Sequence, residues 1–261
     1  MCLIIFAWDA HPEYKLVMVA NRDEEYKRPT ARASYWEDAP DILAGRDLES
    51  GGTWLGINRK TGKFAAVTNY REAFVERKDA SSRGYLPLNY IMGSKGPAGY
   101  MRSLEDSRTD YNGYNLLAGT PDGLYHYSNK GDKVKALSPG IYGLSNKLLN
   151  TEWPKVERGK KKLEDVIFYD DWSHGTLIKM MYDCHRPSDD ELPKTGVSFK
   201  LEKALAPMFI KTDKYGTCST SVLTITHDGY VRFSERHYNP LLGDGIDEKF
   251  EFQLEDYKSQ S

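Results

Sequence analysis

The second residue of the chain, Cys2, begins a strand-like run that reads Met1-Cys2-Leu3-Ile4-Ile5-Phe6. Removal of Met1 would leave a thiol and a free α-amine on one residue, and methionine aminopeptidases favour small second residues such as cysteine. An α-amine titrates near ~8 and a thiol near ~8.5. Cys2 would then supply both nucleophile and base, as in N-terminal nucleophile enzymes. The alternative is a small apolar strand residue, because free cysteine is commonly buried.

A polar segment, Asn21-Arg22-Asp23-Glu24, follows the second predicted strand, Lys15 to Ala20. A short turn joins the first two strands, so the end of the second strand returns toward Cys2. There Arg22 would lower the pKa of the thiol, and the Asp23 carboxylate would orient an amine by a charge-assisted hydrogen bond. Neighbouring strand residues face opposite ways, so both reach Cys2 only if the chain turns. The alternative for the whole segment is a solvated turn.

Other polar and aromatic side chains also lie at predicted strand ends. Asn69 and Asn146 each follow a strand, where an amide N–H either serves an oxyanion hole or closes an Asx turn. The glycine-rich segment 51–56 lacks the pattern of a phosphate-binding loop. It either packs closely against other backbone or exposes backbone to a ligand, with Trp54 as a platform. Tyr215 opens the last long hairpin.

The composition disfavours several classes of protein. The formal net charge is −2, which argues against nucleic acid as the main partner. Three widely spaced cysteines form no disulfide framework, so a reducing compartment, by default the cytoplasm, is expected. The first apolar stretch lacks a preceding basic region, and no run is long enough for an integral membrane segment. The histidine spacing fits no metal site and C-x-x-C-H is absent, so we expect no metal and no tightly bound cofactor.

Hairpin signatures recur along the chain. Gly62 lies in one such turn and is expected to take a positive φ. Several runs, such as residues 64–67, are apolar throughout, which indicates strands covered on both faces. Helix signals lie at 86–92, 153–167, 177–182 (capped by Ser173) and 199–209. The sequence predicts one α+β domain over residues 1–261, with two packed, mainly antiparallel sheets, outer helices and a disordered tail from about residue 256.

Taken together, the motifs resemble those of the NRDE family, also called the transport and Golgi organisation 2 family. The matching pieces span almost the whole chain in order: Met1-Cys2 with its strand, Ala20-Asn21-Arg22-Asp23-Glu24, Arg28-Pro29, Gly51-Gly52-Thr53-Trp54-Leu55-Gly56, Thr68-Asn69-Tyr70, Tyr111-Asn112-Gly113-Tyr114-Asn115-Leu116, Tyr142-Gly143-Leu144-Ser145-Asn146, Trp153, Tyr215-Gly216-Thr217 and Glu235-Arg236. The resemblance implies an N-terminal-nucleophile-hydrolase-like αββα sandwich. One position departs from it: Cys218 stands where an arginine is expected.

The same resemblance implies a function and a set of site residues. It implies intracellular binding and trafficking of haem or a similar amphipathic ligand such as acyl-CoA, with haem as a reversible cargo. The alternative is an N-terminal cysteine amidohydrolase with Cys2 as its nucleophile. The candidate catalytic residues are Cys2, Arg22, Asp23, Asn69 and Asn146. The candidate ligand-binding residues are Asn21, Trp54, Tyr70 and Tyr215.

Overall fold

The computed structural model describes residues 2–72, 77–131, 133–169, 171–238 and 245–255 of the chain. Within these residues, thirteen strands and five α-helices form two antiparallel sheets with helices packed outside them. The predicted α+β sandwich is therefore confirmed. The tail that the sequence predicts from about residue 256 lies outside the described residues.

The strands in chain order are β1 (Cys2–Trp8), β2 (Tyr14–Glu25), β3 (Thr30–Trp36), β4 (Ala39–Asp47), β5 (Leu55–Asn58), β6 (Phe64–Asn69), β7 (Tyr114–Thr120), β8 (Gly123–Ser128), β9 (Lys135–Ala136), β10 (Gly140–Leu144), β11 (Tyr215–Thr226), β12 (Tyr230–Tyr238) and β13 (Gly245–Gln253). The helices are α1 (Tyr85–Met92), α2 (Pro97–Ser103), α3 (Pro154–Tyr169), α4 (His174–Met181) and α5 (Phe199–Leu205). One sheet has the order β10-β1-β2-β11-β12-β13, and the other runs from β3 to β9 in sequence order.

The layers explain the strands that are apolar throughout. In β1, Ile4 and Phe6 face the second sheet and join the core between the two sheets. Leu3 and Ile5 point the other way, into a second core beneath α3 and α4. A third core lies between the seven-stranded sheet and α1 and α2. Strands covered on both faces need apolar residues at successive positions, which confirms that prediction.

Local signals in the sequence place several turns and helix ends. Gly62 has a φ of 66°, the left-handed conformation expected of it. The Ser173 side chain accepts a hydrogen bond from the Thr176 backbone N–H and so caps α4 as predicted. Helix α5 ends at Leu205, earlier than the predicted residue 209, because Pro207 cannot continue a helix.

The polar segment 21–24 lies inside a strand, so the solvated-turn interpretation is wrong. Strand β2 continues to Glu25, because β1 pairs with its end on one side and β11 on the other. Two flanking strands satisfy the backbone of these residues, although their side chains are polar. The strands β3, β4 and β9 and the helix α2 were not expected from the sequence.

Candidate functional site

Cys2 lies at the open end of the sandwich, in the layer between the two sheets. It is the first residue of β1 and pairs with Arg22 of β2. Its position in the strand places it on the same face as Ile4, which belongs to the inter-sheet core. The Ser145 hydroxyl donates to the Cys2 carbonyl oxygen at 3.3 Å. The thiol-bearing residue is therefore fixed to a rigid strand at the edge of a cleft that it lines.

Arg22 and Asp23 both line the cleft with Cys2, although successive strand residues normally face opposite ways. A bulge in β11 lies opposite them. Thr217 pairs with Asp23 and Ser219 pairs with Arg22, so Cys218 is the extra residue on the bulged strand. Bulges are common next to functional sites.

Burial controls the electrostatics of this group. It raises the pKa of the Cys2 thiol above its ordinary value, and the lowering effect of Arg22 is smaller. Arg22 lowers the pKa of the thiol as expected, but burial outweighs this effect. Burial also raises the pKa of Asp23, while the Thr217 hydroxyl donates to its Oδ1 at 2.7 Å. The resting site favours the neutral thiol, because the cost of a buried charge exceeds the help from the nearby cation.

Trp54 and Arg22 form a stacked pair in the wall of the cleft. The Arg22 guanidinium lies 4.4 Å from the centroid of the Trp54 ring, a distance suited to a cation–π contact. The Arg22 side chain is only 6% exposed, and Glu24 Oε2 lies 3.9 Å from Nη2. A β-carbon added at Gly45 would overlap the Trp54 ring, so the glycine leaves the space that the indole occupies. This pair is a buried cation–π contact that places a positive charge in the wall of the cleft.

The cleft has a volume of about 860 Å³ and mixed walls. The lining includes acidic side chains, and one of them, Asp47, pairs with Arg28: its Oδ2 lies 2.8 Å from Arg28 Nε. The cleft also carries cationic Lys78 and Arg83. Its apolar lining consists of Trp54, Val67, Ala80, Val197, Leu201 and Leu205. Such a combination suits a ligand with an extended apolar body and polar ends.

The two candidate asparagines stand in different positions. Asn69 lines the cleft at the end of β6. Asn146 is fully buried, and its Nδ2 donates to the Asn69 backbone carbonyl at 2.9 Å. Asn146 thus fixes the backbone at Asn69 rather than facing the cleft. Tyr70 does not line the cleft either, and the Lys147 amine lies 4.6 Å from the centroid of its ring.

Asn21 and Tyr215 also differ. Asn21 is fully buried on the helical side of its sheet. Its Nδ2 donates to the carbonyl oxygens of Met181 and Met208, and its Oδ1 accepts from Thr220. The Asn21 side chain therefore links β2 to the helical layer and does not line the cleft. Tyr215 does line the cleft, and its hydroxyl donates to the Asp23 carbonyl at 2.9 Å.

Three charged residues beside the cleft were not identified as site residues from the sequence. Arg71, Lys155 and Glu202 are all buried. Arg71 Nη1 lies 2.9 Å from Glu202 Oε2, and Lys155 Nζ donates to the Leu205 carbonyl at 3.0 Å. Burial lowers the pKa of Lys155 to about 8. The only sequence signal was the position of Arg71 two residues after Asn69, at a strand end.

The described residues contain no group of three or more His, Cys, Asp or Glu side chains that could hold a metal ion. Within the same part of the chain, no helix has both the length and the apolar character needed to cross a membrane.

Comparison with known proteins identifies the family. The sequence model of the family described as Transport and Golgi organisation 2 matches residues 1–240. This chain belongs to that family. The Transport and Golgi organization protein 2 homolog of Homo sapiens is 34% identical over 257 residues, which are 90% of this chain and 92% of that protein. The homolog of Bos taurus is 33% identical with the same coverage. Transport and Golgi organization protein 2 of Drosophila melanogaster is 27% identical over 263 residues, 90% of this chain and 91% of that protein.

Membership in the Transport and Golgi organisation 2 family extends over the entire site. The matched residues 1–240 contain every strand from β1 to β12 and all five α-helices. Cys2, the stacked Arg22–Trp54 pair and the buried charges near α5 all lie within that match.

Proposed function

We propose that the protein binds and carries haem or a similar amphipathic ligand, such as an acyl-CoA, in the cleft. The observation that carries the proposal is the cleft itself, whose volume of about 860 Å³ is lined by both apolar and charged side chains. Small-molecule sites commonly measure about 300–1,000 Å³. The family resemblance supplies the ligand class, and the Arg22–Trp54 pair supplies an aromatic ring and a positive charge in the wall of the cleft. The three free cysteines support the cytoplasm as the place of action.

Weak, reversible binding follows from the iron ligands that the cleft offers. Of the usual axial ligands of haem, which are His, Cys, Met and Tyr, the described lining residues include Cys2 and Tyr215 but no His or Met. Burial raises the pKa of both groups, so both are protonated at neutral pH and are poor axial ligands. A carrier must release its cargo, and a micromolar dissociation constant corresponds to about −8 kcal/mol.

The test is a haem titration followed by the Soret band. We expect saturable binding in the micromolar range, competed by a long-chain acyl-CoA. Trp54→Ala and Arg22→Ala should each weaken binding about threefold to tenfold, because each removes one member of the stacked pair. Arg232→Ala is the matched control, since Arg232 stacks on the half-buried Tyr230 ring at 5.5 Å and does not line the cleft. Absence of saturable binding by the wild type contradicts the proposal.

A second candidate function is an N-terminal cysteine amidohydrolase. The observation that favours it is the presence of Cys2, Arg22, Asp23 and Asn69 in the lining of one cleft. Cys2 would attack an amide carbonyl, its own α-amine would accept the thiol proton, and an Asn69 N–H would stabilise the oxyanion. This chemistry requires that Met1 be removed, which an intact-mass measurement decides.

An acyl-amide panel separates the two functions. Release of amine that is lost in Cys2→Ala supports the hydrolase. Haem binding that survives Cys2→Ala supports the carrier and leaves the thiol without a required role in binding. A chain that retains Met1 and turns over no amide rules out the second candidate.

A further inference from the structure

Two buried cations lie beneath α5, at the inner end of the cleft. Arg71 follows β6, and Lys155 is the second residue of α3; their residues are 8% and 4% exposed. Both cations are held by groups of α5. Glu202 receives Arg71 Nη1 at 2.9 Å, and the Leu205 carbonyl receives Lys155 Nζ at 3.0 Å.

The frame around these cations is rigid, whereas their anionic partner comes from a short peripheral element. Arg71 is fixed by its backbone N–H, which donates to the Asn146 carbonyl at 2.7 Å, and its guanidinium packs 5.1 Å from the Trp153 ring centroid. Helix α5 has seven residues. Its Phe199 is 58% exposed and its Leu201 is 43% exposed, so α5 buries little apolar surface of its own.

The buried ion pair needs an explanation beyond stability. Taking two charges out of water costs free energy that their mutual attraction often fails to recover, so apolar residues of similar size would serve as well or better. Arg71 lines the large cleft and also a small cavity of about 10 Å³ that Lys155 and Glu202 share. The cavity has room for about one water molecule. The Arg71–Glu202 pair therefore lies between the cleft and this cavity.

We infer that Arg71 forms a subsite for the carboxylate of the ligand, with Lys155 lining the small cavity beside it, and that Glu202 occupies this subsite as an internal substitute. The inference rests on the proposed function and names the polar end of the ligand: an apolar molecule that carries a carboxylate, as haem does in its propionates. The Arg71 guanidinium matches a carboxylate through parallel N–H donors. Binding exchanges one carboxylate for another, so the number of buried charges does not change and no proton is required.

The contacts of Glu202 fit such an exchange. Its Oε2 accepts from Arg71, whereas its Oε1 accepts from the Thr195 backbone N–H at 2.8 Å and from the Thr195 hydroxyl at 2.5 Å. Thr195 therefore helps to hold the Glu202 carboxylate in its place beside Arg71. Val197 and Leu201 line the cleft, so a ligand that enters contacts this same segment and displaces it with its apolar body.

The test compares haem with its dimethyl ester, which keeps the ring and loses both negative charges. The wild type should bind haem about tenfold or more tightly than the ester, because the ester offers Arg71 no charged acceptor for its hydrogen bonds. Arg71→Gln should abolish that preference. Glu202→Gln should strengthen haem binding about tenfold and leave ester binding unchanged, because the internal competitor no longer carries a charge.

A second set of measurements keeps the inference testable if Glu202→Gln fails to fold. Thr195→Ala retains the carboxylate and removes one of its hydrogen bonds, so it should give a smaller gain in haem affinity. Lys203→Ala is the matched control, because Lys203 lies on α5 and pairs with Asp189 at the surface. It should change neither affinity. Decanoate should raise the melting temperature of Thr195→Ala more than that of the wild type, and decanamide should raise neither.

Three results distinguish a failure of the carboxylate subsite from a failure of the proposed carrier function. Equal binding of haem and its ester by the wild type overturns the subsite and leaves the carrier function standing. Equal losses for both ligands in Glu202→Gln assign Glu202 a structural role only and also overturn the subsite. Loss of haem binding altogether, with the decanoate pattern intact, retains the carboxylate subsite and removes haem as its ligand.

Discussion

Replacing Asn21 by alanine tests whether the first residue of the NRDE segment serves the fold or the ligand. The side chain makes three buried hydrogen bonds, at 3.2 Å to the Met181 carbonyl, at 2.8 Å to the Met208 carbonyl and at 2.6 Å from the Thr220 hydroxyl. Asn21→Ala leaves two buried carbonyl oxygens without these donors. Each such loss costs about 1–3 kcal/mol, whereas Thr220 keeps its contact with the Tyr238 hydroxyl at 2.9 Å.

The expected loss of unfolding free energy is about 3–5 kcal/mol, a large part of the roughly 5–15 kcal/mol of a typical domain. Urea unfolding followed by tryptophan fluorescence measures it as a lower midpoint with an unchanged slope. Haem affinity per folded molecule should stay close to that of the wild type, because Asn21 does not line the cleft.

Asn69→Ala is the matched control, since Asn69 lines the cleft and its contact with Asn146 uses its backbone carbonyl. This variant should lose less than about 1 kcal/mol of stability, as expected for a substitution that removes no buried contact. An Asn21→Ala protein with the urea midpoint of the wild type and no haem binding would refute the reasoning and make Asn21 a binding residue.

Three further predictions concern the walls and the charges of the site. Gly45→Ala should displace the Trp54 ring, lower the melting temperature and weaken haem binding in the same assay as Trp54→Ala, because the added methyl overlaps the indole; unaltered tryptophan fluorescence would contradict it. Burial lowers the pKa of Lys155 from 10.5 to about 8, so the unfolded chain holds more protons between these pH values and stability rises with pH. In urea unfolding, the free energy of unfolding of the wild type should rise by up to ~3 kcal/mol relative to that of Lys155→Met across this pH window. A difference between the two proteins that does not change with pH would contradict the lowered pKa of Lys155. At neutral pH, exposed Cys184 should react with a disulfide reagent before buried Cys2, whose pKa burial raises; peptide mapping of the labelled chain with Met1 present gives the order.

The fold could be predicted from the sequence where a local signal fixes it. Gly62 indicates a turn, and Ser173 indicates the start of a helix. The apolar runs of β1 and β6 indicate strands that are covered on both faces. The hairpin of β3 and β4 could not be predicted, because residues 30–47 mix charged and apolar residues without a clean period of two. The end of β2 was missed for another reason: only the two flanking strands keep its polar residues extended.

The site could be predicted where its members are neighbours through a hairpin. Cys2 and Arg22 face each other because a short turn joins β1 and β2. The hairpin alone does not show which of Asn21 and Arg22 faces the cleft, because a shift of one residue in the strand register moves a side chain to the opposite face of the sheet. The meeting of Arg71, Lys155 and Glu202 joins three distant segments of the chain, which only the tertiary fold brings together.

The cleft is built from two separately hydrogen-bonded sheets. Cys2, Arg22 and Asp23 belong to one sheet, whereas Trp54 and Asn69 stand beside strands of the other. The distance between these walls is set by the thickness of the core that separates the sheets, including Phe6 and Phe64. A substitution that thins this core would narrow the cleft without altering any residue that contacts the ligand. Core variants that are selected only for thermal stability should therefore also differ from the wild type in the width of the ligand that they accept.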